Sequence, residues 1–115
     1  MTPPDPYVHA GGAMLLAGIL NVGASLVWLG GLIASCWGMV LCLIPLLLVV
    51  DGIFEAWTGW QMIRGVRIPH ARARAITSAV IGLVTCLGVL SCLVELFAIW
   101  SLSKPEVKDW LASPE

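Results

Sequence analysis

Charge is what this sequence has least of. Only 11% of its 115 residues are Asp, Glu, Lys or Arg, while 59% are hydrophobic. A water-soluble domain carries about a quarter charged residues, so this chain lacks the polar surface to stay in water. The mean hydropathy of +0.95 points the same way. Other absences narrow the function. The four cysteines include no Cys-x-x-Cys spacing and read as small apolar residues rather than metal or disulfide partners. His9 and His70 stand alone and flank the apolar stretches, so neither reads as a metal or haem ligand. Phosphate-binding loops, dinucleotide fingerprints and paired nucleophile and base are missing. No enzyme activity, cofactor, metal, nucleic acid or small-molecule substrate is therefore expected. Met1 to Gly12 holds no Lys or Arg. This argues against the basic start of a secretory signal, so the first apolar segment is expected to be retained.

What is present is long apolar sequence, marked off by tryptophan. In WGMVLCLIPLLLVVDGIFEAW, Trp37 and Trp57 would lie roughly 30 Å apart on a helix, the thickness of a bilayer's hydrocarbon core. Tryptophan favours the headgroup level because its ring is apolar and its N–H wants a partner. Gly11 to Val50 is nearly free of polar residues, and one helix of that length would be about 60 Å long. The chain must turn back, with Gly30-Gly31 or the region of Ser35 as the turn. A first span is expected at about 10–31 and a second at about 36–63, forming a tight hairpin. Pro45 should bend the second span. A break at Asp51-Gly52 is the alternative, leaving 52–63 as an interfacial helix.

The ends of the chain are polar. Pro3, Pro4 and Pro6 suggest an extended leader over 1–10, with Tyr7 and His9 at the headgroups. Four of the six basic residues, Arg64, Arg67, Arg72 and Arg74, fall in one short basic stretch, 64–74, whose loop is expected at about 64–72. Such loops stay cytoplasmic and can attract anionic lipid. A third span is expected over about 73–102, with Trp100 at its far interface. The tail, 103–115, holds Pro105 and Glu106, a plausible start for a short helix. Trp110 and Leu111 would return to the membrane surface or meet a partner. The sequence thus predicts an all-α membrane protein: a single integral membrane domain over 1–115, three transmembrane helices and short polar termini. Its amino end would lie in the cytoplasm and its carboxyl end outside.

GILNVGASLVWLGG, a span ending GIFEAWTGWQMIRG and a last span closing on LSKPEVKDWL cover most of the chain. In these stretches it resembles small bacterial multi-span membrane proteins with a Pro-Glu-Val-Lys tail, a group of no established activity. The resemblance implies an inner (plasma) membrane location and nothing about chemistry.

Ionisable groups at membrane depth are costly and so are the natural functional candidates. Here they are Asp51, Glu55 and Glu95, joined by the uncharged Asn21. Measured from the tryptophans, Asn21 and Glu95 share a depth and can touch, while Asp51 lies too far toward the other interface to join them. Asn21 shares a helical face with Ala10, Met14, Ala17, Gly18, Ala24 and Ser25. Glu95 shares one with Thr77, Gly88, Ser91 and Ala98, and Asp51 one with Glu55, Thr58 and Met62. Asn21 and Glu95 would fix helix packing, and Asp51 with Glu55 would answer the arginines or anchor another subunit's helix. Two functions compete. One is a structural or accessory protein joining other membrane helices, as a homo-oligomer or a small subunit of a complex. The other is a small oligomeric ion or proton channel or transporter using Glu95, Asn21 and Asp51.

Overall fold

A computed structural model of the chain describes residues 2–34, 39–85 and 89–113. These residues form five helices and no strand: α1 (Asp5–Ala34), α2 (Met39–Ile63), α3 (Ala71–Thr85), α4 (Val89–Leu102) and α5 (Pro105–Ala112). The molecule is a rod of 53 × 20 × 17 Å.

Helix α1 begins earlier than the prolines suggested. Pro6 falls in its first turn, where the missing N–H would have had no intrahelical partner. Gly30 and Gly31 lie inside α1 rather than at the turn, and the alternative at Ser35, with Trp37, lies outside the described residues. Helix α2 runs unbroken through Pro45, Asp51 and Gly52, so there is no separate helix at 52–63. α1 and α2 lie antiparallel and very close. A Cβ added at Gly18 would stand 2.5 Å from the Gly52 carbonyl oxygen and 2.6 Å from the Ala56 nitrogen. Nearer the other end, a Cβ on Gly11 would meet that of Met62. Glycine thus lets two backbones meet where any side chain would hold them apart.

The third span is where sequence and structure part. Residues 73–102 were expected as one helix, but α3 and α4 are separate helices packed on each other. Ser78 of α3 and Glu95 of α4 both come within reach of the Glu55 carboxyl. On a continuous helix those two residues would be about 25 Å apart. α3 and α4 therefore run antiparallel. α1 packs on α2 and α4, and α3 packs on the same two, giving a four-helix bundle. Two helices, α1 and α2, are long and apolar enough to cross a membrane. α3 and α4, with 15 and 14 residues, are only about 22 and 21 Å long, short of the roughly 30 Å hydrocarbon core.

Folding back carries α5 to the end of the bundle where the chain starts. The expected separation of the two chain ends on opposite faces is therefore not found. Tyr7 and Trp110 stack with ring centroids 4.8 Å apart. The Tyr7 hydroxyl donates to the Val66 carbonyl and accepts from the Ile68 N–H at 2.9 Å. The Arg67 guanidinium lies 4.6 Å from the Trp110 ring centroid and donates to the Ser113 carbonyl at 2.5 Å. Leader, arginine loop and tail are thus one assembly, sealed over a core of Ala10, Met14, Met62, Ala98, Leu102 and Val107. Trp100 lies at this end too, with Lys104 over its ring, and does not mark a far interface. Trp110 meets Tyr7 of its own chain rather than a partner.

Elsewhere the usual distribution of side chains is inverted. The buried face of α3 is Ala71, Ala75, Ser78, Ala79 and Gly82. Large apolar side chains such as Leu26, Leu47, Phe54, Leu83 and Phe97 are exposed around the rod. Small residues inside and bulky ones outside suit a bundle whose surroundings are themselves apolar.

Candidate functional site

Four helices bring polar side chains to one level near the bundle axis. α1 supplies Asn21 and Ser25, α2 Asp51 and Glu55, α3 Ser78, and α4 Ser91 and Glu95. Apart from the half-buried Asp51, all are buried, and Asn21, Glu55 and Glu95 are fully so. Each reaches the interior because it falls on its helix's buried stripe. On α1 that stripe is Ala10, Met14, Ala17, Asn21 and Ser25. On α2 it includes Leu48, Glu55, Thr58 and Met62. The expected Asn21 and Asp51 faces are observed, except that Ala24 is only half-buried; of the Glu95 face, Ser91 and Ala98 are buried with it, Thr77 is exposed on α3, and Gly88 lies outside the described residues.

The contacts can be traced across the bundle. The Asn21 amide donates to Glu95 Oε1 at 3.4 Å, as expected from their shared depth. The Asn21 carbonyl oxygen accepts from the Ser91 hydroxyl. The Glu95 and Glu55 carboxyls lie within hydrogen-bonding reach of each other. Ser78 stands on the other side of Glu55 and donates its proton to Asp51 Oδ1 at 3.0 Å. The expected separation of Asp51 from Asn21 and Glu95 is thus corrected. The register of α1 on α2 sets Gly52 against Gly18 and Asn21 and so brings Asp51 to their level, and all four candidates occupy one polar chain.

This chain is short of hydrogen. Ionised carboxyl oxygens only accept, and both Glu55 oxygens, Glu95 Oε2 and Asp51 Oδ2 are buried without a hydrogen-bond partner. The Ser25 hydroxyl, one turn beyond Asn21, is buried and unpartnered as well. An unpaired buried polar atom is expensive, and an unpaired buried charge far more so.

Two clefts border the ends of the chain of contacts. One, of about 420 Å³, is lined by Asp51, Ile68, His70, Ala73, Arg74 and Thr77. The other, of about 390 Å³, lies between α1 and α4 and is bordered by Asn21 and Ser91.

The arginines divide. Arg72 and Arg74 belong to the first turn of α3 rather than to the loop. Arg64 and Arg72 are exposed. Arg67 binds the tail as described. Arg74 lies 5.2 Å from the Phe54 ring centroid and lines the cleft beside Asp51. His9 and His70 are exposed, Cys42 and Cys92 are free thiols, and Cys36 and Cys86 lie outside the described residues. Among the described residues, no three of His, Cys, Asp and Glu are grouped to hold a metal ion.

Ser78 was missed by sequence reasoning. Its signal was present in the small-residue stripe Ala71, Ala75, Ser78, Ala79, Gly82, which marks the packed face of α3. In comparisons with protein families, curated proteins and solved structures, nothing matches the chain.

Proposed function

We propose that this is an integral membrane protein that acts as a small ion carrier, with Asn21, Glu55 and Glu95 as its site and Asp51 beside it. α1 and α2 cross the bilayer and the α3–α4 hairpin is inserted beside them. The arginine-bearing end, with both ends of the chain, faces the cytoplasm, following the retention of basic segments on that side. The observation that carries the reading is Glu55, a fully buried carboxyl with both oxygens unpartnered and a second carboxyl facing it. A packing device would pair such a group, whereas an ion site leaves it open for its ion. The test is flux into liposomes holding the purified protein and a pH-sensitive dye. Glu55→Gln and Glu95→Gln should each abolish a proton flux that the wild type supports. Absence of wild-type flux under every imposed gradient would overturn the reading.

An accessory role, as a homo-oligomer or a small subunit among other membrane helices, is the second reading. It does not use Asp51, Glu55 and Glu95 as anchors, because Glu55 and Glu95 are enclosed within one copy and Asp51 is held by Ser78. What favours it is an apolar groove of about 460 Å³ along α1 and α2, lined among others by Leu15, Val22, Ile53, Trp57 and Trp60. Native mass spectrometry after gentle extraction separates the readings: a defined oligomer or a co-purifying chain supports the second.

A further inference from the structure

We infer that Glu55 and Glu95 hold one exchangeable proton between them, and that Asp51 and Ser78 connect that proton to the cleft at the arginine-bearing end. The inference rests on the interior ion site proposed above and names its ion and its route.

The count of donors identifies the ion. The Glu55 and Glu95 carboxyls lie within hydrogen-bonding reach of each other, and the Asn21 amide supplies a hydrogen to one oxygen of Glu95. Both oxygens of Glu55 have no partner. The charged and titratable groups around the pair are few. α1 offers Asn21 and Ser25, neither ionisable, α2 offers Asp51, α3 offers Arg74 and Ser78, and α4 offers Ser91. The cation, Arg74, lies on the Asp51 side, in the cleft. Two carboxylates in contact in a dry interior, with no cation between them, cannot both stay ionised. A single proton turns their repulsion into a hydrogen bond and gives Glu55 the partner it lacks.

The route follows from Ser78. Its hydroxyl donates to Asp51 at 3.0 Å, and its oxygen lies within reach of Glu55. A hydroxyl accepts and donates at once, so it can pass a proton without keeping one. A proton on Asp51 moves to the Ser78 oxygen while the Ser78 proton moves to the Glu55 carboxylate. Asp51 is left as carboxylate, Ser78 as hydroxyl and Glu55 as acid, so charge and atoms balance. Asp51 in turn borders the cleft with His70 and Arg74, where a proton can arrive.

Infrared spectroscopy of the full chain in lipid tests this without requiring transport. The wild type should show a protonated-carboxyl C=O stretch that is absent in both Glu55→Gln and Glu95→Gln. On transfer to D2O the band should shift. Ser78→Ala and Asp51→Asn should slow that shift by about tenfold or more, while Ser103→Ala, whose hydroxyl donates to the Ile99 carbonyl outside the site, should leave it unchanged. A spectrum with no such band, or a band that survives both glutamine variants, would overturn the shared proton. Equal exchange in wild type and Ser78→Ala would overturn the route. If a glutamine variant does not fold, the Ser78→Ala and Ser103→Ala pair still decides the route, and the wild-type band decides the proton. A band with the expected exchange but no liposome flux would refute the carrier and leave the proton pair standing.

Discussion

Replacing Gly18 by alanine probes a close backbone approach in the bundle. The new Cβ would meet the Gly52 carbonyl oxygen at 2.5 Å and the Ala56 nitrogen at 2.6 Å. Both are backbone atoms of α2, so neither can rotate away, and the helices must separate by most of an ångström to reach ordinary contact. Overpacking of this kind costs about 1–3 kcal/mol. Alanine also favours the helix by about 0.5–1 kcal/mol over glycine, which partly masks the loss. Gly23→Ala removes that ambiguity. Gly23 lies one and a half turns further along the same helix, and a Cβ there meets nothing within 4 Å. The helix preference cancels between the two variants, so Gly18→Ala should be less stable than Gly23→Ala by about 1–3 kcal/mol. Titrating detergent-solubilised protein with SDS and following helix content by circular dichroism reads the difference. Equal stability of the two variants would refute the glycine-mediated seam between α1 and α2.

Three other outcomes follow from the geometry. Tyr7→Phe removes the donor to Val66 and the acceptor for Ile68, costing about 1–3 kcal/mol locally. Hydrogen exchange at the Ile68 amide should quicken markedly, and unchanged protection would show that the loop does not depend on Tyr7. Arg67→Ala frees the Ser113 carbonyl and the face of Trp110, a loss of about 0.5–2 kcal/mol from the ring contact. Limited proteolysis should then cut within α5 sooner than in wild type. Glu55→Gln and Glu95→Gln should eliminate proton flux in liposomes, whereas exposed-site changes such as Arg64→Gln should not.

Much of the interior was readable from periodicity. The Asn21 and Asp51 faces, the continuation of α2 past Trp57 and the helix starting at Pro105 all follow from spacing or from a proline at a helix start. The Asn21–Glu95 contact was legible as well. The reversal between α3 and α4 was not. Thr85 and Val89 flank it with apolar sequence on either side, and no charge or proline interrupts the hydropathy. Length alone could not help, because 73–102 has the right size for one tilted span. The error then spread. With α4 assumed to run outward, Trp100 became a far marker. The separation of Asp51 from Asn21 has a different source, the use of Trp28 and Trp57 as depth marks: Gly52 packs against Gly18 and Asn21, which brings Asp51 to their level. Depth read from tryptophan depends on knowing which way each helix points, and composition does not supply that.

Sidedness of the chain ends tests the fold-back most directly. Single cysteines placed at Thr2 and at Ala112, in a background with the four native cysteines replaced, can be exposed to an impermeant maleimide in sealed vesicles of known orientation. Both residues are exposed at the arginine-bearing end of the bundle. The structure predicts labelling of both from the same side of the membrane. Labelling of Thr2→Cys from one side and Ala112→Cys from the other would restore a single span over 73–102 and separate Glu95 from Asp51 and Ser78.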